Sequence, residues 1–224
     1  MSELQKRLDQ LVLRLDHMSM RVEQAVIDAL RAVEESDVQA GLAVDHNDAI
    51  IDREEVEIEQ ECIRLLALYQ PAAIDLRTIC TIIKINNDLE RIADLGASIG
   101  RRVKHVVEGG LTLGDSGPFG RLRDDTQAIL GRTCRMLGVS EAQTARRIIE
   151  ADVQIDEDYR QLVRSVLDAS GRGSGGAEKA MTVINLAKAM ERIGDLCTNI
   201  AEDIIFLKTG DIVRHAEAFR DAGR

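Results

Sequence analysis

The chain has 224 residues, with 39 acidic against 29 basic side chains and a net charge of -10. That balance argues against a nucleic-acid binder, whose affinity comes from clustered cations that neutralise phosphates. Aromatic residues make up 2%, there is no Trp and only two prolines occur, while aliphatic and charged residues dominate, so the composition favours long amphipathic helices over sheet.

Taken in chain order, breakers divide the sequence into six helical segments. The first is expected from about Ser2 to Glu35, and Ser36-Asp37 offers a cap for a second reaching about Tyr69. Pro71 makes a turn of Gln70-Pro71-Ala72-Ala73, because a proline disfavours right-handed helical geometry in the residue before it. A third helix follows from about Ala73 to Glu108, and Gly109-Gly110, Gly114 and Gly117-Pro118 mark the longest linker. A fourth, shorter helix ends at Gly138, Ser140 caps a fifth, and glycines from Gly171 to Gly176 interrupt the chain before a sixth. The organisation expected is all-α: two tandem three-helix bundles over residues 1–112 and 118–210, with a C-terminal tail over 211–224.

The two halves look duplicated. A shift of 101 residues carries Glu90-Arg91-Ile92-Ala93-Asp94-Leu95 onto Glu191-Arg192-Ile193-Gly194-Asp195-Leu196. The apolar seams agree as well. Ile82, Ile85, Leu89, Ile92, Gly96, Ile99, Val103 and Val106 alternate three- and four-residue spacings, as do Leu186, Met190, Ile193, Cys197, Ile200, Ile204 and Leu207.

Acidic residues form the one constellation that carries chemistry. Glu90 and Asp94 stand one helical turn apart and project from one face, and Glu191 and Asp195 repeat them. The second helix adds Asp48 and Asp52, and the fifth adds Asp152 and Asp156. In a helical hairpin, residues equidistant from the turn lie at one height. Asp52 and Glu90 are equally far from Pro71, and so are Asp48 and Asp94; Asp152 with Asp195 and Asp156 with Glu191 are symmetric about the glycine loop. Each hairpin is therefore expected to gather four carboxylates at one level. Asp45, Asp48, Asp52, Glu55 and Glu59 also form an acidic stripe along the second helix. Crowded like charges repel, and a bound cation relieves them. All-oxygen ligation suits Mg²⁺, Mn²⁺ or Ca²⁺, and carboxylates also hold iron in helical bundles. A single acidic pair is weak by itself, since so acidic a chain contains several by chance; the signal lies in two related quartets.

Other residues read more plainly. The basic clusters Arg101, Arg102, Lys104 and Arg146, Arg147 have no interleaved aromatics and are expected to be solvated faces. Cys62, Cys80, Cys134 and Cys197 are widely separated and are expected to be reduced core residues. None of His17, His46, His105 and His215 stands in a Glu-x-x-His di-iron signature, and His46, though near the acidic stripe, reads as a surface residue. His17-Met18-Ser19-Met20 reads as core packing. The glycine-rich run before the sixth helix lacks a P-loop ending. No run of ~20 apolar residues or signal-peptide stretch is present, so the expected location is the cytoplasm.

These residues resemble those of the PhoU family. Leu89-Glu90-Arg91-Ile92-Ala93-Asp94-Leu95 is similar to the family's Glu/Asp-x-x-x-Asp motif, with a second copy over Met190 to Asn199. Gln70-Pro71-Ala72-Ala73-Ile74-Asp75-Leu76-Arg77 looks like the turn that opens the family's third helix, and Gly210-Asp211-Ile212-Val213-Arg214-His215 resembles its ending. The resemblance implies two three-helix bundles with metal clusters (iron in some members) on the motif-bearing faces, and the ion expected in this chain is iron, Mn, Mg or Zn. It implies a non-enzymatic negative regulator of the phosphate regulon, acting with the phosphate ABC transporter, including its ATPase, and the associated sensor kinase, and commonly a homodimer. Glu90, Asp94, Glu191 and Asp195 match the metal motif directly, whereas Asp48, Asp52, Asp152 and Asp156 rest equally on their level. Ser98 stands where the second half has Asn199, and Tyr159 where the first half has Glu55, so the second site is expected to be the poorer in carboxylates. A carboxylate-bridged hydrolase or di-iron oxidase and a plain coiled-coil scaffold remain as alternatives.

Overall fold

The computed structural model describes residues 2–113, 117–139, 141–170 and 176–213. Among the described residues there are six helices and no strand: α1 (Glu3–Glu35), α2 (Val38–Tyr69), α3 (Ala73–Glu108), α4 (Pro118–Val139), α5 (Ala142–Ser170) and α6 (Gly176–Thr209). The local reasons are those legible in the sequence. Ser2 caps α1 by accepting from the Gln5 N–H, and Asp37 caps α2 by accepting from Gln39 and Ala40. Gln70 leaves the right-handed helix for the left-handed region (φ 44) just before Pro71. The expected Ser140 cap lies outside the described residues, as do most of the glycine loop before α6 and most of the C-terminal tail.

Helices α1, α2 and α3 pack on one another, and α4, α5 and α6 do the same. The two bundles join through α3 against α6 and α1 against α4, so α3 and α6 are the most enclosed elements. Their seam residues show why. Ile85, Leu89, Ile92, Ile99 and Val103 of α3, and Leu186, Met190, Ile193, Cys197 and Ile200 of α6, are all fully or almost fully buried. Burying an aliphatic side chain of this size contributes ~1.5–3 kcal/mol, and the two seams together provide the main cohesive force. Ion pairs also cross between the bundles: Lys84 of α3 donates at 2.6 Å to Asp203 of α6, a carboxylate that is 2% exposed, and Arg123 and Arg135 of α4 meet Glu34 and Glu23 of α1 at 3.1 and 3.9 Å.

The first hairpin is unusually close. A Cβ added at Gly100 of α3 would lie 2.5 Å from the Gly41 carbonyl oxygen of α2, and one at Gly41 would lie 2.5 Å from the Gly100 carbonyl oxygen. Two facing glycines thus let backbone touch backbone. The repeat-related positions in the second half are Ala145 and Ala201, both buried, so the second hairpin carries methyl groups where the first has none.

The cysteine expectation needs one correction. Cys62, Cys134 and Cys197 are buried, but Cys80 is exposed, because it lies outside the apolar seam of α3. Met18 is fully buried, whereas Met20 is 55% exposed, since two residues of helix turn the side chain to the opposite face.

Candidate metal centre

The acids of α2 divide between two faces. Arg7, Arg14 and Arg21 of α1 recur every two turns and meet Glu61, Glu57 and Glu54 of α2 in antiparallel order, at 3.5, 2.8 and 2.9 Å. Those three glutamates are neutralised along the α1 side. Asp48, Asp52 and Glu55 belong instead to the α3 side, where Glu90 and Asp94 project. Sequence periodicity shows both acidic rows, but the arginine ladder decides which row keeps its charge.

On the α3 side Asp48, Asp52, Glu90 and Asp94 are near enough to act on one another's charge. Asp48 lies against Asp94, and Asp52 and Glu90 are close enough to add repulsion. Burial first, and then these neighbours, push Asp48 from its ordinary 3.8 to about 6. Glu90 is likewise raised, by burial and then by Asp94, Asp52 and Glu55. No Lys, Arg or His pairs with Asp48, Asp52, Glu90 or Asp94 among the described residues. Asp45, the first member of the acidic stripe, is taken by Arg101 of α3. Glu55 adds a fifth carboxylate and is raised by burial and by Glu59 and Asp52. Its carbonyl and carboxylate both accept from the fully buried Asn86 amide, whose own Oδ1 has no partner among the described residues. The buried Asn86, one turn before Glu90, was the sequence signal for this neighbour that periodicity alone passes over.

The second quartet is built on the same plan with different neighbours. Burial, Asp195, Asp156 and Glu191 raise Asp152 to about 6, with the Thr198 hydroxyl acting in the opposite sense. Gly194 makes room for it, since a Cβ there would lie 2.5 Å from Asp152 Oδ1. Here, however, cations are already in place. Lys188 donates to both oxygens of Glu191 at 2.7 Å, and Arg160 donates to Asp156 at 2.7 Å. Lys188 also sits over the Tyr159 ring, 5.4 Å from its centre. Tyr159 replaces the fifth carboxylate, and Ala187 replaces Asn86.

Among the described residues, no group of three or more His, Cys, Asp or Glu side chains is arranged to hold an ion as the side chains stand. By donor chemistry the first quartet fits a hard cation: four unpaired carboxylates, a fifth beside them and an unsatisfied amide oxygen. The second fits less well, because two of its four acids already have a cationic partner. His46 is exposed and His105 pairs with Glu108 at 3.9 Å, so neither joins a quartet.

The basic clusters are only partly the solvated faces expected of them. Arg146 and Arg147 are exposed. Arg101 pairs with Asp45, and Arg102 is half-buried and donates to the Ser98 carbonyl and hydroxyl.

Fold and site together define an all-helical protein of two repeat-related three-helix bundles with acidic faces. The PhoU domain matches residues 15–103 and 119–204. A phosphate-specific transport system accessory protein PhoU homolog of Rhizobium meliloti (strain 1021) is 33% identical, with 94% of this chain and 89% of that protein covered. The homolog from Aquifex aeolicus (strain VF5) is 31% identical over 95% of this chain and 96% of that one. The crystal structure of PhoU from Pseudomonas aeruginosa superimposes with a TM-score of 0.89 at 29% identity, covering 93% of this chain and all of that one. The phosphate transport system regulatory protein PhoU from Streptococcus pneumoniae gives 0.86 at 25% identity, covering 94% of this chain and 99% of that one. The chain belongs to the PhoU family, whose named members are accessory and regulatory proteins of phosphate transport and not enzymes. No helix among the described residues is long and apolar enough to cross a membrane.

Proposed function

We propose that this protein is a metal-binding negative regulator of phosphate uptake that acts by docking on the phosphate ABC transporter and its sensor kinase. The observation that carries the metal part is the first quartet: Asp48, Asp52, Glu90 and Asp94 share one level of the α2–α3 hairpin with no basic partner, and two of them are driven toward protonation. A cation there removes the repulsion and ties α2 to α3; one at the second quartet, Asp152, Asp156, Glu191 and Asp195, ties α5 to α6. The protein's own contribution is placement. The Gly41–Gly100 contact holds α2 close to α3, and the arginine ladder withdraws the competing glutamates toward α1. Rigid bundles then present a surface whose docking follows phosphate status, and the protein works in the cytoplasm, as a homodimer.

Elemental analysis of protein purified without chelator tests the metal, with Glu90→Ala/Asp94→Ala as the comparison. Metal near stoichiometry in the natural chain and less in the variant is expected; metal-free protein that gains no thermal stability from iron, Mn²⁺, Mg²⁺ or Zn²⁺ refutes it. Co-purification with the transporter ATPase and the kinase tests the docking, and recovery of neither at any phosphate level refutes that half.

A further inference from the structure

Beside the first quartet, on the seam between the bundles, α3 and α6 enclose an open groove of about 280 Å³ lined by Arg91, Asp94, Leu95, Ser98, Arg101, Arg192 and Leu196. Its walls come from the duplication. Arg91 and Arg192 are repeat-equivalent, and so are Leu95 and Leu196, so packing α3 on α6 turns one arginine and one leucine of each half toward the same space. Three arginines, Arg91, Arg101 and Arg192, thus line one groove together with two leucines. Such a lining is notable in a chain of net charge -10.

Local pairing leaves part of this charge available. Arg91 reaches Asp88 in its own helix at 3.3 Å through one nitrogen, and Arg101 reaches Asp45. Arg192 makes no ion pair among the described residues. Asp94 is the one acid in the lining, against three arginines. Arg102 donates to the Ser98 hydroxyl oxygen, so that hydroxyl has its own proton to donate. The groove therefore presents guanidinium forks and one hydroxyl donor.

We infer that the Arg91–Arg101–Arg192 groove is a binding site for a tetrahedral oxyanion of the phosphate type, distinct from the carboxylate quartets. Planar guanidinium groups bind such oxygens in bidentate fashion. Choosing phosphate among oxyanions rests on the proposed role in phosphate uptake; the groove does not.

Calorimetric titration of the full chain tests the site, after chelator treatment so that no metal can ligate the anion. Inorganic phosphate at low salt is expected to bind at one site. Arg91→Gln and Arg192→Gln should each weaken it by about tenfold, the scale of one lost charge-assisted contact. Arg192→Lys should recover part of the loss, while Arg146→Gln, which removes an equal charge elsewhere, should change nothing. Circular dichroism and melting temperature show that each variant is folded. A parallel titration with a phosphoserine peptide separates the sources: tighter peptide binding assigns the groove to a phosphoryl group on a protein, and tighter binding of inorganic phosphate assigns it to the free ion. If neither ligand binds, or if both glutamine variants bind like the natural chain, the site does not exist. Either result leaves the elemental analysis of the quartets untouched.

Discussion

Replacing Asp48 by Asn should stabilise the metal-free protein and abolish the stabilisation that a metal provides. The carboxyl of Asp48 rises from 3.8 to about 6 on folding. At about 1.36 kcal/mol for each tenfold change in proton affinity this corresponds to ~3 kcal/mol, and the site's partial contact with water reduces it to ~1–2 kcal/mol. The sign follows from proton counting. Between about pH 4 and 6 the folded chain holds a proton that the unfolded chain has released, so stability falls as pH rises through that window and the full penalty applies above it. An asparagine carries no charge and can donate to Asp94. At pH 7, in chelator, D48N should therefore melt higher by roughly 2–8 °C, taking ~2–4 °C per kcal/mol for a chain of this size. At pH 4 the two proteins should melt together. With added Mn²⁺ the order should reverse, because the natural chain gains a ligand-linked increment that the variant lacks. Differential scanning calorimetry at both pH values, with and without metal, reads all of this. A variant less stable than the natural chain in chelator at pH 7 would refute the claim that repulsion dominates the apo site.

Three further outcomes follow from the packing. Gly100→Ala places a methyl group against the Gly41 carbonyl and should cost ~1–3 kcal/mol; it should also reduce the Mn²⁺-dependent rise in melting temperature, since α2 and α3 must separate near Asp48 and Asp94. Lys188→Met frees Glu191; in the Glu90→Ala/Asp94→Ala background it should tighten metal binding at the second quartet by about fivefold, the scale of one part-buried ion pair, as read by metal titration. Lys84→Ala withdraws an ammonium from the buried Asp203 carboxylate and should cost ~1–3 kcal/mol in denaturant unfolding, with no change in metal content.

Much of the site was legible because a helical hairpin converts sequence distance into height. Equal distance from Pro71 predicts that Asp48 meets Asp94, and in the structure those two carboxyls lie close enough to act on each other. Local chemistry also marks most helix ends: Ser2 and Asp37 cap, and Gln70 turns before Pro71. Glu55 and Asn86 were harder to read, because their link depends on how far α3 is rotated about its own axis. The repeat predicts equal quartets up to the substitution of Tyr159 for Glu55, but Lys188 and Arg160 occupy acids of the second.

The sequence by itself determined the helices, their seams, the duplication and the level of each carboxylate, because these depend on helical period and on distance along the chain. Tertiary structure decided which charges survive. Arg7, Arg14 and Arg21 silence one acidic row of α2, the Gly41–Gly100 contact draws α2 against α3, and packing of one bundle on the other sets Arg91 beside Arg192. Each of these joins residues of different helices. Their meeting depends on helix rotation and bundle docking, which only the closed three-dimensional packing supplies.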